Sequence, residues 1–378
     1  MGRATKGCGC AVAVVALVVG VAVYFGKDFA INWWKTKPPP PSGGELQVHI
    51  LDVGPINGDS ILIISPAGKA VLVDAGDAGK GKVILDALKR YNVQQLDYFI
   101  ATHPHPDHLG AADEVMKVTK ILNVIDNGIA PAGWEPTPTP TPSPKVLRNT
   151  KPAARKTDKK SSVIRFYEEY REAVSQSGAH YEKAEPGKKF DLGGGAFLTI
   201  LAPNQPFFTK EQMKAGGNEP NANSVVARLD YGDFSMLLAG DAEQQTEQRM
   251  LTKDLNLQTD VLKVSHHGSK YSTAADFLER VKPAVAIVSC GEWNRYGHPA
   301  QVVLDRLKSA GVKLYRTDLQ GEITITTRGK ESDYKIATAK EAKSDLWEGR
   351  LPQKDDSSRS GFVAYGDFGP PPKQKTTK

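Results

Sequence analysis

Cysteine is scarce in this chain of 378 residues: Cys8, Cys10 and Cys290 are the only three. Two lie near the start and the third is far along the chain, so no disulfide framework holds the fold together in any compartment. An excess of one charge is also missing. The net charge is +6, and it is concentrated in one stretch: from Lys145 to Arg165, eight basic residues stand against Asp158 alone, a local +7. The rest of the chain is close to neutral, so any pull on a polyanion is local. Long apolar runs are absent except for one, "GCGCAVAVVALVVGVAVYFG", the 20 uncharged residues between Lys6 and Lys27. A multi-span channel is therefore excluded within this sequence. As a helix the run would be about 30 Å long, the thickness of a bilayer's hydrocarbon core.

Arg3 and Lys6 precede the run, so the positive-inside rule keeps the N-terminus in the cytoplasm and sends the rest of the chain across. Trp33 and Trp34 suit the far headgroup layer. No small-x-small cleavage site follows at the usual distance, and "RATKG" before Cys8 lacks the apolar run of a lipoprotein signal. The expectation is an uncleaved transmembrane helix with the remainder extracytoplasmic; the alternative is a cleaved signal and a secreted protein.

The sequence divides readily. Residues 1–36 are the cytoplasmic start and anchor, and "KPPPPSGG" at 37–44 is a stiff polyproline spacer. A folded domain is expected over 45–330, interrupted at 131–162 by a Pro/Thr-rich and basic insert. Residues 331–378 read as a polar, disordered tail. Within the domain, "ELQVHILDVG", "DSILIISPAGKAVLVDAG" and "LDYFIATH" are strand-like, and "GKVILDALKRYNV" has helical apolar spacing. Sliding Ser60–Ala78 by 164 positions onto Ser224–Ala242 matches Ser60, Gly68, Ala75, Gly76, Asp77 and Ala78 without a gap. Two similar β-rich halves, with helices after the loaded turns, point to an α/β fold of four αββα layers.

Histidine is sparse too, with eight in all, yet three fall within "THPHPDH" at 102–108. The turn follows a strand, and Pro104 and Pro106 stiffen it, so His103, His105 and His108 with Asp107 are candidate metal ligands. "HPHPDH" resembles the H-x-H-x-D-H signature of the metallo-β-lactamase fold hydrolases. Around it "HILDVG", "GDSILI", "VLVDAG", "SMLLAGD", "VLKVSHHGS" and "YGHP" follow the order seen in the hydrolase domain of ComEC-type competence proteins, over roughly 46–328.

The resemblance implies the αββα metallo-β-lactamase sandwich and one or two divalent ions, zinc or manganese. His103 and His105 would hold one ion and Asp107 and His108 the other, with Asp241 bridging. His266 or His267 would close the second site. Here His266 is assigned as ligand, and His267, with Asp74, Asn223, Ser224 and Ser269, as second layer or substrate contact. Asp107, Asp241 and His298 are the expected catalytic residues. The sequence departs from the family in two places. "NEPNANS" stands where a further histidine is usual, and "LDVGPINGDS" is two residues longer than the branch's "LDVGQGDS".

Two ions of this kind activate a water for attack on a phosphodiester, and equally on a small ester or lactone. The insert's Lys145, Arg148, Lys151, Arg155, Lys156, Lys159 and Lys160 favour a nucleic acid substrate, because Lys and Arg neutralise phosphate. The expectation is a membrane-anchored, extracytoplasmic phosphodiesterase or nuclease. The alternatives are hydrolysis of a small ester or lactone, and a non-catalytic nucleic-acid-binding module.

Overall fold

A computed structural model describes residues 44–135, 161–213, 218–293, 296–330 and 332–352. The apolar run, the spacer up to Gly43 and the basic positions from Lys145 to Lys160 lie outside the described residues. No helix among the described residues is long and apolar enough to cross a membrane.

Strands β1 (Leu46–Ile50), β2 (Ile61–Ile64), β3 (Ala70–Val73), β4 (Gln95–Ala101), β5 (Lys120–Asp126) and β6 (His180–Lys183) begin one sheet. A second sheet takes β7 (Lys189–Gly193), β8 (Ala196–Ala202), β9 (Val226–Tyr231), β10 (Phe234–Leu238), β11 (Val261–Lys263), β12 (Val285–Val288) and β13 (Lys313–Arg316). The chain then returns with β14 (Ile323–Thr327) and β15 (Lys335–Thr338) to the first sheet, whose order is β15-β14-β1-β2-β3-β4-β5-β6; the second runs β13-β12-β11-β10-β9-β8-β7.

Side-chain alternation sets the layers. Val48, Ile63 and Val71 point between the sheets and meet Leu198, Leu229 and Met236. Their out-of-step neighbours Leu62, Leu72 and Phe99 face α1 (Gly81–Arg90), α2 (Ala112–Val118) and α3 (Ser162–Ser177). On the other outer face Leu237, Leu262 and Ala286 pack against α4 (Gln244–Leu251), α5 (Ala275–Val281) and α6 (Gln301–Ser309). The result is the αββα order expected from the sequence. Central strands buried on both faces read as unbroken Val, Ile and Leu, and each such side chain contributes about 1.5–3 kcal/mol.

The internal repeat appears as two equivalent hairpins, β2–β3 and β9–β10, which turn at Gly68 (φ 81°) and Gly232 (φ 58°). After each hairpin the chain continues in parallel, through β4 and β5 in one half and β11 and β12 in the other. Parallel strands place all their carboxyl ends on one rim, where open α/β sheets form their sites.

The polar segment from 331 is not a loose tail over its described part. β15 pairs with β14, and Leu346 and Trp347 pack against the outer core of the second sheet. Buried Arg316 donates to the carbonyls of Leu346 and Glu348, at 2.9 and 2.6 Å, and pairs with Asp318. Asp318 also accepts from Arg350, at 2.7 Å. A charged clasp rather than an apolar stripe therefore fixes this strap, which corrects the expected boundary at 330. The strap touches the site wall. The Arg350 N–H donates to Pro299 O, and a Cβ at Gly297 would meet Arg350 O at 2.9 Å.

Candidate metal centre

Loops from both halves meet at the rim. After β3, Asp74 takes a left-handed backbone (φ 60°) that turns its carboxylate beneath the histidine loop. Its Oδ1 accepts the Thr102 N–H, and its Oδ2 accepts the Thr102 hydroxyl, each at 2.8 Å. His108 Nδ1 donates to the same Oδ2 at 2.7 Å, which leaves the Nε2 lone pair facing the centre. Because the Thr102 hydrogen is committed to Asp74, its oxygen accepts from His103 Nδ1 at 3.0 Å, with Ser224 Oγ at 3.2 Å. His103 Nε2 then faces His105 Nδ1 at 2.9 Å and Asp241 Oδ2 at 3.8 Å.

Asp241 follows β10 and lies at the centre of the cluster. Its Oδ1 is 3.3 Å from His108 Nε2, and its Oδ2 is 3.6 Å from His267 Nε2 and 3.7 Å from His266 Nε2. After β11 both His266 and His267 adopt left-handed φ, 49° and 52°. Such backbone costs of order 1–3 kcal/mol per residue and collects at functional sites. The turn sends His267 inward: Nδ1 donates to Ser289 O at 2.8 Å, and Nε2 lies 3.4 Å from Asp107 Oδ2. Ligand atoms of Asp107, His108 and His267 lie within 4.8 Å of one another, as do those of His103, His108 and Asp241.

These residues fit a divalent cation. The buried Nε2 atoms of His108 and His267 and Oδ1 atoms of Asp59 and Asp241 make no hydrogen bond; the two Nε2 atoms meet at the Asp241 carboxylate, and Asp59 Oδ1 lies 3.4 Å from His267 Nδ1. The charge points the same way. Asp59, Asp74, Asp107 and Asp241 converge, and Lys263 is buried beside Asp59 at 2.7 Å. Burial alone would lower the histidines, yet Asp241 and Asp74 raise His108 well above the usual imidazole value. Against the same burial, Asp241 and Asp59 push His267 up to about 10. Carboxylates that favour positive charge on these two imidazoles provide an electrostatic setting for a cation.

Most expected ligands come together: His103, His105, Asp107, His108 and Asp241. The assignment of the histidine pair is corrected, because His267 rather than His266 shares the cluster with Asp107 and His108. His266 instead lies 3.1 Å from Asn221 Nδ2 and 3.9 Å from Glu243 Oε1. Asp74 bonds His108, and Ser224 Oγ lies 3.2 Å from His103 Nδ1. Asn223 does not: its side chain bonds Phe208 and Glu219 and braces the loop. The Ser269 hydroxyl accepts the Tyr271 N–H at 3.4 Å. His298 stands on the rim, with its ring 5.2 Å from that of His266.

Sequence reasoning passed over Asp59, Lys263, Asn57, Asn221 and Glu243. Lys263 carried a signal, since one cation inside the apolar strand "DVLKV" demands a buried acid. Asp59 is that acid. Its carboxyl is opposed by burial but drawn down to about 2 by Lys263 and His267. Gly58 beside it allows the first motif to close on the site, where a Cβ would meet Asp107 O at 2.9 Å.

Residues 53–204 match the Metallo-beta-lactamase superfamily. The chain is 28% identical over 317 residues to ComE operon protein 3 of Bacillus subtilis, covering 79% of this chain and 35% of that protein. It is 26% identical over 293 residues to competence protein ComA of Neisseria gonorrhoeae, covering 76% and 33%. The chain thus spans about a third of the length of these relatives. Among solved structures, the metallo-beta-lactamase fold protein YhfI from Bacillus subtilis aligns over 72% of this chain and 95% of its own, at 12% identity and a TM-score of 0.41.

Proposed function

We propose that this chain, a metallo-β-lactamase fold protein resembling ComEC-type competence proteins, is a metal-dependent phosphodiesterase or nuclease. The carrying observation is the convergence of partnerless buried lone pairs from His108, His267, Asp59 and Asp241 beside His103, His105 and Asp107. Those residues would hold one or two divalent ions, zinc or manganese, with Asp241 reaching both ligand sets. When bound, such ions lower the pKa of a water and draw charge from a phosphoryl oxygen.

The chain's own groups do the rest. Asp74 and Thr102 hold His103 and His108 with their Nδ1 protons engaged, and Ser289 O does the same for His267. Each ring is thereby oriented with Nε2 toward the cation, which would take the place of the proton that the neighbouring carboxylates favour there. His298, at the rim, is within reach of a substrate oxygen and supplies a hydrogen bond to it.

The basic charge of the insert and the described chain that flanks it favour a polyanion over a small ester. The chain leaves β5 at the rim, where Asn127 donates to Asn223 O at 3.1 Å, one residue from the Ser224 that contacts His103. It re-enters at Ser161, the N-cap of α3; as a crossover between the parallel strands β5 and β6, this helix also starts at the rim end. The described chain on either side of residues 136–160 thus belongs to the rim that carries the ligands, which supports a polyanion as substrate. We further propose that the uncharged run anchors the chain with this domain outside the cytoplasm.

Deleting residues 145–160 tests the substrate. Nucleic acid binding should weaken and its salt slope flatten, while hydrolysis of a small activated phosphodiester persists. Cleavage of a lactone and of no phosphodiester would transfer the assignment to a small-ester hydrolase. Nucleic acid binding without hydrolysis, in zinc or manganese, would leave a binding module.

A further inference from the structure

The stretched first motif carries Pro55, Ile56 and Asn57 across to the second half of the molecule. The Trp293 N–H donates to Pro55 O at 2.7 Å. A Cβ at Gly291 would come within 2.2 Å of the carbonyl oxygens of both Pro55 and Ile56, so this approach requires glycine. Buried Asn57 sits in the contact. Its Oδ1 accepts the Gly291 N–H at 3.2 Å, and its Nδ2 lies 3.2 Å from His298 Nδ1.

The direction of both bonds follows from chemistry. A backbone N–H only donates, so the amide oxygen faces Gly291 and the NH2 faces the imidazole. An NH2 also only donates, so His298 Nδ1 must accept. In a neutral ring the proton then resides on Nε2. Rings of His266 and His267 lie 5.2 and 6.3 Å away, which sets His298 near the cluster through His267.

We propose that Asn57 is a positioning residue that locks His298 as the Nε2–H tautomer, a ready-made donor toward the substrate. The catalytic consequence rests on the phosphodiesterase reading; the tautomer itself does not. With the donor preset, no proton needs to move within the ring before a hydrogen bond forms to a phosphoryl or leaving oxygen. Asn57→Asp is the discriminating change, because it preserves shape and removes the NH2. A carboxylate that still accepts from Gly291 can only accept from the ring, and so draws a proton to His298 Nδ1.

The test is 15N NMR of the imidazoles in the zinc-loaded full chain in detergent, with His298 identified by the resonance lost in His298→Gln. In wild type, Nδ1 should have a pyridine-like shift and Nε2 a pyrrole-like one. In Asn57→Asp, Nδ1 should become pyrrole-like, with zinc stoichiometry unchanged. Turnover of a small phosphodiester should fall about tenfold or more, within the span of acid–base contributions, while KM stays within twofold. A protonated Nδ1 in wild type overturns the proposal, even if the variant does not fold. So does an unaltered Nδ1 in the variant, or a switched tautomer with unchanged kcat. Should wild type cleave no phosphodiester, the functional reading fails while the spectrum still decides the tautomer.

Discussion

Replacing Asp74 with asparagine keeps the size of a fully buried side chain and changes one hydrogen-bonding face. Asp74 now accepts three hydrogen bonds, two from Thr102 and one from His108 Nδ1. An asparagine oxygen placed toward Thr102 turns its NH2 toward His108, so two donors collide or the histidine proton shifts to Nε2 and blocks the lone pair that faces the centre. The flipped amide instead sets NH2 against the Thr102 N–H. Either way a buried donor loses its partner, at about 1–3 kcal/mol. For metal affinity, loss of an outer partner of this kind costs about 10–100-fold, or roughly 1.4–2.8 kcal/mol. Competition with a chromophoric chelator at fixed pH reads this directly, on protein whose near-ultraviolet circular dichroism matches wild type. Affinity for zinc within twofold of wild type in folded Asp74→Asn would refute the view that Asp74 sets the His108 tautomer.

Other expectations follow from the same contacts. Lys263→Met strands the Asp59 carboxylate and should cost about 3–5 kcal/mol in urea unfolding, and adding Asp59→Asn to Lys263→Met should recover much of it; equal losses in the single and double variants would contradict the pairing. Glu247 accepts the N–H groups of Thr273 and Ala274, and burial raises it to about 7, with Asp276 adding to the rise and Arg306 opposing it. Since its folded value lies above the unfolded one, its stability is full below about pH 4.5 and is lost as pH climbs through 7, on the order of 3 kcal/mol; Glu247→Gln should flatten that limb of the pH–stability curve. Arg350→Ala cuts the strap from Asp318 and should lower stability by about 1.5–3 kcal/mol, whereas an unchanged urea midpoint would mean the strap carries no load.

What the sequence disclosed and what it hid have physical causes. The histidine turn was legible because its ligands are contiguous, and Asp241 because it ends the second copy of a repeated hairpin. The layers were legible because strands buried on both faces must be apolar throughout. The choice between His266 and His267 was not, since two successive left-handed residues reverse the alternation expected after a strand. Asn57 and His298 are 241 positions apart, and nothing local to either marks the other. The strap escaped notice because Arg316, Asp318 and Arg350 hold it by charge, and only Leu346 and Trp347 supply apolar anchors.

One buried cluster is expected to hold divalent cation through ligands from both halves of the chain. Equilibrium dialysis of the full protein against zinc and against manganese, with metal counted per chain in wild type and Asp241→Ala, tests it most directly. Wild type should bind at least one equivalent and up to two, and Asp241→Ala should lose more metal than any single histidine variant, because its two oxygens face both ligand sets. Less than one equivalent in folded wild type with either metal, or an Asp241→Ala protein that binds as wild type does, would contradict the account.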